Sequence, residues 1–221
     1  MDRNKVLFIT GIDTGIGKTY ATAFLIKAMQ QKGLRVVSQK PIQTGCVGRS
    51  EDLDIHDKTL LFATPEQKDG AEPHRCTYLF PFPASPHLSA QMEGVSISVE
   101  KIDQDTTALL RQGYDRVLME GAGGLMVPMT RKLLTIDFVA ERKYPVALVS
   151  SGRLGSINHT LLSIEALRNR GIDLETFVYN KYTSAEEACT PIESDTEKYL
   201  KEYLQKHSPS TEWVELTALV L

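Results

Sequence analysis

The residues Gly11-Ile-Asp-Thr-Gly-Ile-Gly-Lys-Thr19 have the composition of a turn that wraps phosphate. Phosphates concentrate negative charge, and backbone N–H groups at a helix start offer oriented donors with a favourable dipole. Gly15 and Gly17, on either side of Ile16, let the backbone approach phosphate oxygens without an intervening Cβ. Lys18 would reach the terminal phosphates and the Thr19 hydroxyl would ligate Mg²⁺, with Tyr20 following into the helix. The general P-loop pattern places its first glycine at the position held here by Ile12, and Gly11 stands one residue further out. The plain alternative is a strand-to-helix turn with a chance Gly-Lys-Thr, but strand, loop and amphipathic helix are all present.

Further polar residues stand where apolar runs end. Lys40, followed by Pro41, closes one run and is a candidate cation for an anionic substrate. Glu120 closes another and suits a metal-holding acid opposite the loop. Behind it Gly121-Ala122-Gly123-Gly124 offers small residues for close approach to phosphate. Asn180 ends a third run. Asp52 could complete a shell of oxygen ligands around Mg²⁺, and spacing alone does not separate it from Asp54 and Asp57. His56, His87 and His159 show no metal-ligand spacing and read as structural residues.

These groups need a scaffold that gathers strand ends. The chain alternates β-branched runs with helical patterns, which predicts an α/β fold: a P-loop NTPase-type, doubly wound, mostly parallel sheet with helices on both faces. Strands are expected at 6–10, 35–39, 116–119, 145–150 and 176–179. In such sheets ligands bind beyond the carboxyl ends of the strands. After the loop, Ala21, Phe24, Leu25, Ala28 and Met29 form one apolar stripe, and Gly33 suits a left-handed helix end. Further helices are expected near 52–62, 99–112, 136–142, 156–170 and 191–206. The span from Pro41 to Pro86 reads as active-site loops, within one domain covering residues 1–221.

Net charge is −3, so no overall field draws the chain onto nucleic acid. No run approaches the roughly 20 apolar residues of a membrane span, and five residues before the first strand leave no room for a signal peptide. Cys46, Cys76 and Cys189 are widely spaced and odd in number, which points to free thiols in a reducing, cytoplasmic setting.

Taken in order, Gly11 to Thr19, Lys40-Pro-Ile-Gln-Thr-Gly45, Ser85-Pro-His87, Glu120 to Gly124 and Gly155-Ser-Ile-Asn-His159 resemble the ATP-dependent dethiobiotin synthetase family over about the first 180 residues. That family shares the longer glycine spacing. The resemblance implies ring closure of 7,8-diaminopelargonate with CO₂ and MgATP, through a carbamate and a carbamic-phosphoric anhydride. It gives Lys40 the carbamate, Lys18 the transferring phosphoryl group, and Thr14 and Thr44 contacts near the amines. Thr19, Asp52 and Glu120 would hold Mg²⁺, while Gly15 to Tyr20, Glu120 to Gly123, Asn180 and Lys181 would line the ATP site. Gly155, Ser156, Ile157 and Asn158 would bind the substrate's carboxylate tail across a homodimer interface. The rivals are a cobyrinic-acid synthase-type ligase and a partitioning-type regulatory ATPase. The latter carries an extra lysine where this chain has Asp13.

Overall fold

A computed structural model describes residues 5–60, 74–181 and 190–217. Along the chain, β1 (Val6–Gly11) leads through the glycine turn into α1 (Lys18–Gln31), then β2 (Val36–Gln39), β3 (Ile42–Thr44) and α2 (Glu51–Lys58). Next come β4 (Tyr78–Phe80), α3 (Pro86–Met92), α4 (Val99–Arg111) and β5 (Arg116–Gly124). The hairpin β6 (Pro128–Thr130) and β7 (Leu133–Leu134) precedes α5 (Thr135–Arg142) and β8 (Val146–Ser151). The last elements are α6 (Ser156–Asn169), β9 (Leu174–Asn180), α7 (Thr190–His207) and β10 (Glu212–Leu216).

Six strands form one sheet in the order β10-β9-β8-β1-β5-β2, and every neighbouring pair is parallel. Parallel strands covered on both faces carry near-continuous apolar runs, and every residue of β1 is buried. Its side chains alternate between two cores. Val6 and Phe8 pack with residues from α4, α5, α6 and α7, including Ile102, Phe138, Ile164 and Leu200. Leu7 and Ile9 pack with Ala21, Leu25 and Ile26 of α1. Helices therefore flank both faces.

The connections explain where a ligand can enter. From β1 the chain crosses to the sheet edge at β2, returns to fill β5, and then builds outward from β8 on the other side. Beyond the carboxyl ends of β1, β5 and β8 the connecting segments diverge, which opens a crevice at this switch point.

Several elements depart from the sequence reading. Helix α2 ends at Lys58, short of the expected 62, and residues 61 and 62 lie outside the described residues. Strand β5 runs through the glycines to Gly124, which pairs with Gly11 after a shift in register. Between Pro41 and Pro86 the structure contains the small parallel pair β3–β4, and α3 starts with Pro86 in its first turn, where a missing N–H costs nothing. Gly33 has the expected left-handed φ of 84°. Among the described residues, no helix is long and apolar enough to cross a membrane.

Candidate functional site

The turn between β1 and α1 depends on its glycines. A Cβ on Gly11 would lie 2.4 Å from the Ile16 side chain. Gly17 has φ 94° and caps α1 with no side-chain hydrogen bond, so the helix start is left to offer its N–H groups. A Cβ on Gly17 would lie 2.5 Å from Asn180 Nδ2. That amide donates to the Ile16 carbonyl at 3.0 Å, so the end of β9 props the turn from behind.

Lys18 is buried, and its Nζ donates to the Asp13 carbonyl at 3.1 Å. Burial holds its pKa below the ordinary lysine value, against the pull of Glu120. Asp13 accepts from the Thr14 N–H at 2.7 Å and pairs with Arg153, whose hydrogen bond lowers the Asp13 pKa.

Beside the turn lies a buried charge cluster. Lys40 Nζ sits 2.7 Å from Asp52 Oδ2 and 2.9 Å from Glu120 Oε1, and also donates to the Gly121 carbonyl at 3.0 Å. The Thr19 hydroxyl lies 3.0 Å from Asp52 Oδ1 and 3.2 Å from Glu120 Oε1. On the far side, Glu120 Oε2 is 2.9 Å from Thr22 Oγ1 and 3.0 Å from His56 Nε2. Burial alone would raise the Glu120 pKa, but Lys40 and the His56 hydrogen bond outweigh it and hold the carboxyl well below the usual range. Burial likewise lowers the Lys40 pKa, yet Glu120 and Asp52 win and the net shift is upward.

The structure separates the three acids of α2. Asp54 pairs with Arg49, and Asp57 takes a two-pronged contact from Arg75, whereas Asp52 faces Thr19 and Lys40. Ser50 caps α2 by accepting from the Leu53 N–H, which holds that face in place. Among the described residues no group of three or more His, Cys, Asp or Glu side chains could hold a metal. Two carboxylates and a hydroxyl do suit a hard cation such as Mg²⁺, which commonly takes few protein oxygens and completes its shell with water and phosphate.

A cleft of about 310 Å³ brings together Thr14, Gly15, Gly17, Lys18, Thr19, Tyr20, Lys40, Thr44, Asp52, Glu120, Ala122 and Gly123. Ile16 is buried beneath the turn. Gly121 turns to the other face of β5, where a Cβ would lie 2.8 Å from the Phe8 ring. Gly155, Ser156, Ile157 and Asn158 do not line this cleft. They open α6, with Gly155 left-handed at φ 89° and Ser156 Oγ buried against Ser151 Oγ at 3.3 Å. Arg153, just before them, ties that turn to Asp13. Lys181 points instead toward α7 and β10, pairing with Glu197 at 3.1 Å and Glu215 at 2.8 Å.

Four contacts of the site escape the sequence reading. Thr22 follows Thr19 by three residues and His56 follows Asp52 by four, so a helical-face count would have exposed both. Arg75 is buried, binds the Ser38 carbonyl and hydroxyl beside Asp57, and its own carbonyl accepts from the Lys40 N–H. Arg153 is the fourth. Cys46 and Cys76 are free thiols, with burial pushing Cys76 up to about 11. Cys189 lies outside the described residues.

A parallel sheet with a glycine turn at its switch point, a buried lysine under that turn and acids facing it defines a P-loop protein of the doubly wound class. Solved structures agree on the fold. One is a putative plasmid partition protein from Borrelia burgdorferi bound to AMPPNP, with TM-score 0.51 and 14% identity, covering 98% of this chain and 88% of that one. Another is the cell division protein FtsY from Thermotoga maritima, with TM-score 0.52 and 13% identity, covering 95% and 60%. Residues 5–210 match a family model described as an AAA domain.

The chain belongs to the ATP-dependent dethiobiotin synthetase family. It is 47% identical to dethiobiotin synthetase BioD 2 of Pasteurella multocida over 208 residues, 94% of each chain. It is 44% identical to BioD 2 of Haemophilus ducreyi, covering 95% of this chain and 97% of that one. With BioD of Chlorobaculum tepidum the identity is 49%, covering 84% and 76%.

Proposed function

We propose that this chain is a cytoplasmic biotin-biosynthetic ligase that closes a cyclic urea on 7,8-diaminopelargonate, consuming CO₂ and ATP and releasing dethiobiotin, ADP and phosphate. The observation that carries this reading is one cleft holding two buried lysines, Lys18 and Lys40, with the hydroxyls of Thr14 and Thr44 at its rim. Two cations suit a reaction that must bring together two anions, a carbamate and a γ-phosphate.

In the first step an amine of the substrate attacks CO₂, forming the N–C bond and losing a proton. Lys40, with its charge held by Glu120 and Asp52, stabilises the resulting carbamate. A carbamate oxygen then attacks the γ-phosphorus while Lys18 follows the transferring phosphoryl group, and ADP leaves. The second amine attacks the carbonyl carbon of the mixed anhydride, closing the ring and expelling phosphate. Thr14 and Thr44 orient the amines for both attacks, and positioning with electrostatics supplies most of the rate.

Thr19, Asp52 and Glu120 are the oxygen donors that would hold Mg²⁺, which when bound neutralises charge between the phosphates. Gly15, Gly17, Tyr20, Ala122 and Gly123 would form the phosphate cradle, with Ile16 beneath the turn and Gly121 behind it on β5. Asn180 is assigned to the edge of the base, with Lys181 beyond it held by Glu197 and Glu215. Gly155, Ser156, Ile157 and Asn158 take the substrate's carboxylate tail from a second copy in a homodimer, since they stand off the cleft of their own chain. Residues 1–221 act as one synthetase domain.

Phosphate release from ATP, measured with diaminopelargonate and bicarbonate together, tests the reading. Release should require both. A rate unchanged when the diamine is omitted would overturn the proposal.

A further inference from the structure

We infer that His56 is a positioning residue, which fixes the Glu120 carboxylate so that Oε1, and not Oε2, is presented to the phosphate site. The inference rests on the reading of that site as one for ATP with Mg²⁺.

The two oxygens of Glu120 have different surroundings. Oε1 looks toward Thr19 and Lys40, where the cleft opens, while Oε2 looks back toward α1 and α2. Terminal carboxylate torsions are broad and two-fold, so a buried glutamate must be held by its partners at both oxygens. Behind Oε2 stand Thr22 and His56. Thr22 has one hydroxyl hydrogen and two acceptors, the Lys18 carbonyl at 2.9 Å and Glu120 at 2.9 Å. It serves Oε2 only part of the time. The hydrogen of the His56 contact sits on Nε2, because an ionised carboxylate only accepts, and no competing acceptor for it appears among the described residues.

A second observation points the same way. His56 is fully buried, and its Nδ1 has no hydrogen-bond partner among the described residues. A buried polar atom without a partner is costly, and an apolar side chain would pack there more cheaply. The imidazole is therefore explained by its one contact, which fixes a carboxylate facing the cleft. Residues of this kind, behind metal-facing ligands, typically change metal affinity when lost.

Calorimetric titration of the full chain with ATP, with and without MgCl₂, tests the inference. The wild type should bind ATP more tightly with the metal. In His56→Leu this metal-dependent gain should fall by about 10-fold to 100-fold, while affinity without metal stays within about twofold. His56→Gln, whose amide reaches toward Oε2, should recover most of the gain, and the shorter His56→Asn should not. The Gln and Asn pair decides the matter if the leucine variant fails to fold. Full retention of the gain in His56→Leu, an equal loss with and without metal, or equal behaviour of Gln and Asn would overturn the inference alone. A wild type whose ATP affinity ignores MgCl₂ would overturn the underlying reading of the site, and the inference with it.

Discussion

Two clusters of alternating charge join this sheet to its helices, and they obey different rules. Just past β2 and midway along β5, Lys40 and Glu120 are buried to 5% and 1% side-chain exposure, with Asp52 at 21%. At the β9–β10 edge, Lys181, Lys201, Glu197 and Glu215 share a network at 22–44% exposure. Both hold a glutamate below its ordinary pKa. For Glu120 the largest influence is burial, which opposes ionisation and must be overcome by Lys40. For Glu215 the largest influence is the hydrogen bond from Lys181, followed by that from Lys201, and burial opposes them only weakly. Removing one charge from the first cluster leaves the others stranded; removing one from the second leaves them solvated.

The largest effect should follow from Lys40→Met. Stranding Glu120 should cost about 3–5 kcal/mol in urea unfolding, and kcat should fall by about 10²–10³-fold. ATP affinity measured without metal should stay nearly constant; an equal loss of binding and turnover would show that the role of Lys40 is misassigned. Arg75→Met should come next, at about 3 kcal/mol, because Asp57 and Ser38 lose a buried partner that also holds α2 against β2. A change under about 0.5 kcal/mol in the same unfolding assay would place Arg75 with the exposed cluster.

Gly17→Ala probes the joint between the two regions. With φ at 94° and Asn180 Nδ2 in the way, it should cost about 1–3 kcal/mol and weaken binding of a fluorescent ATP analogue. Wild-type melting temperature and affinity would show that the turn tolerates the methyl group. The smallest effect belongs to Glu215→Gln, under about 1 kcal/mol at neutral pH. Its signature is in acid. The folded pKa is lowered to about 2 from 4.5, so the stabilisation is present above pH 4.5 and is lost as pH falls toward 2. The wild type should therefore lose melting temperature more steeply than the variant across that window; parallel curves would discount the network.

The fold class is legible because β1 and β8 open with unbroken apolar runs, Val6 to Ile9 and Val146 to Val149, that alternate with helical periods, the pattern of a parallel sheet covered on both faces. Strand β10 is harder to see: Glu212-Trp-Val-Glu-Leu216 is an edge strand that mixes charge with apolar residues. Helix α3, at seven residues, is too short to show a period. In the site, Lys40 and Glu120 stand out as polar groups that close apolar runs. Asp54 is taken up by Arg49 nearby, but Asp52 and Asp57 are oriented by Thr19, Lys40 and Arg75, partners distant in the chain that no spacing rule names. His56, by contrast, stands four residues after Asp52 on one helix, so its face is readable from spacing although its partner lies 64 positions away.

The contact between Asn180 and Ile16 joins residues 164 positions apart. Strand β1 takes both its neighbours, β5 and β8, from later parts of the chain. During vectorial synthesis the nucleotide turn therefore leaves the ribosome long before anything can brace it, and loop closure over such distances is slow. The 164 positions from Ile16 to Asn180 must be made before the turn meets its final support, so a nascent chain released earlier should carry the whole motif and still lack its finished shape.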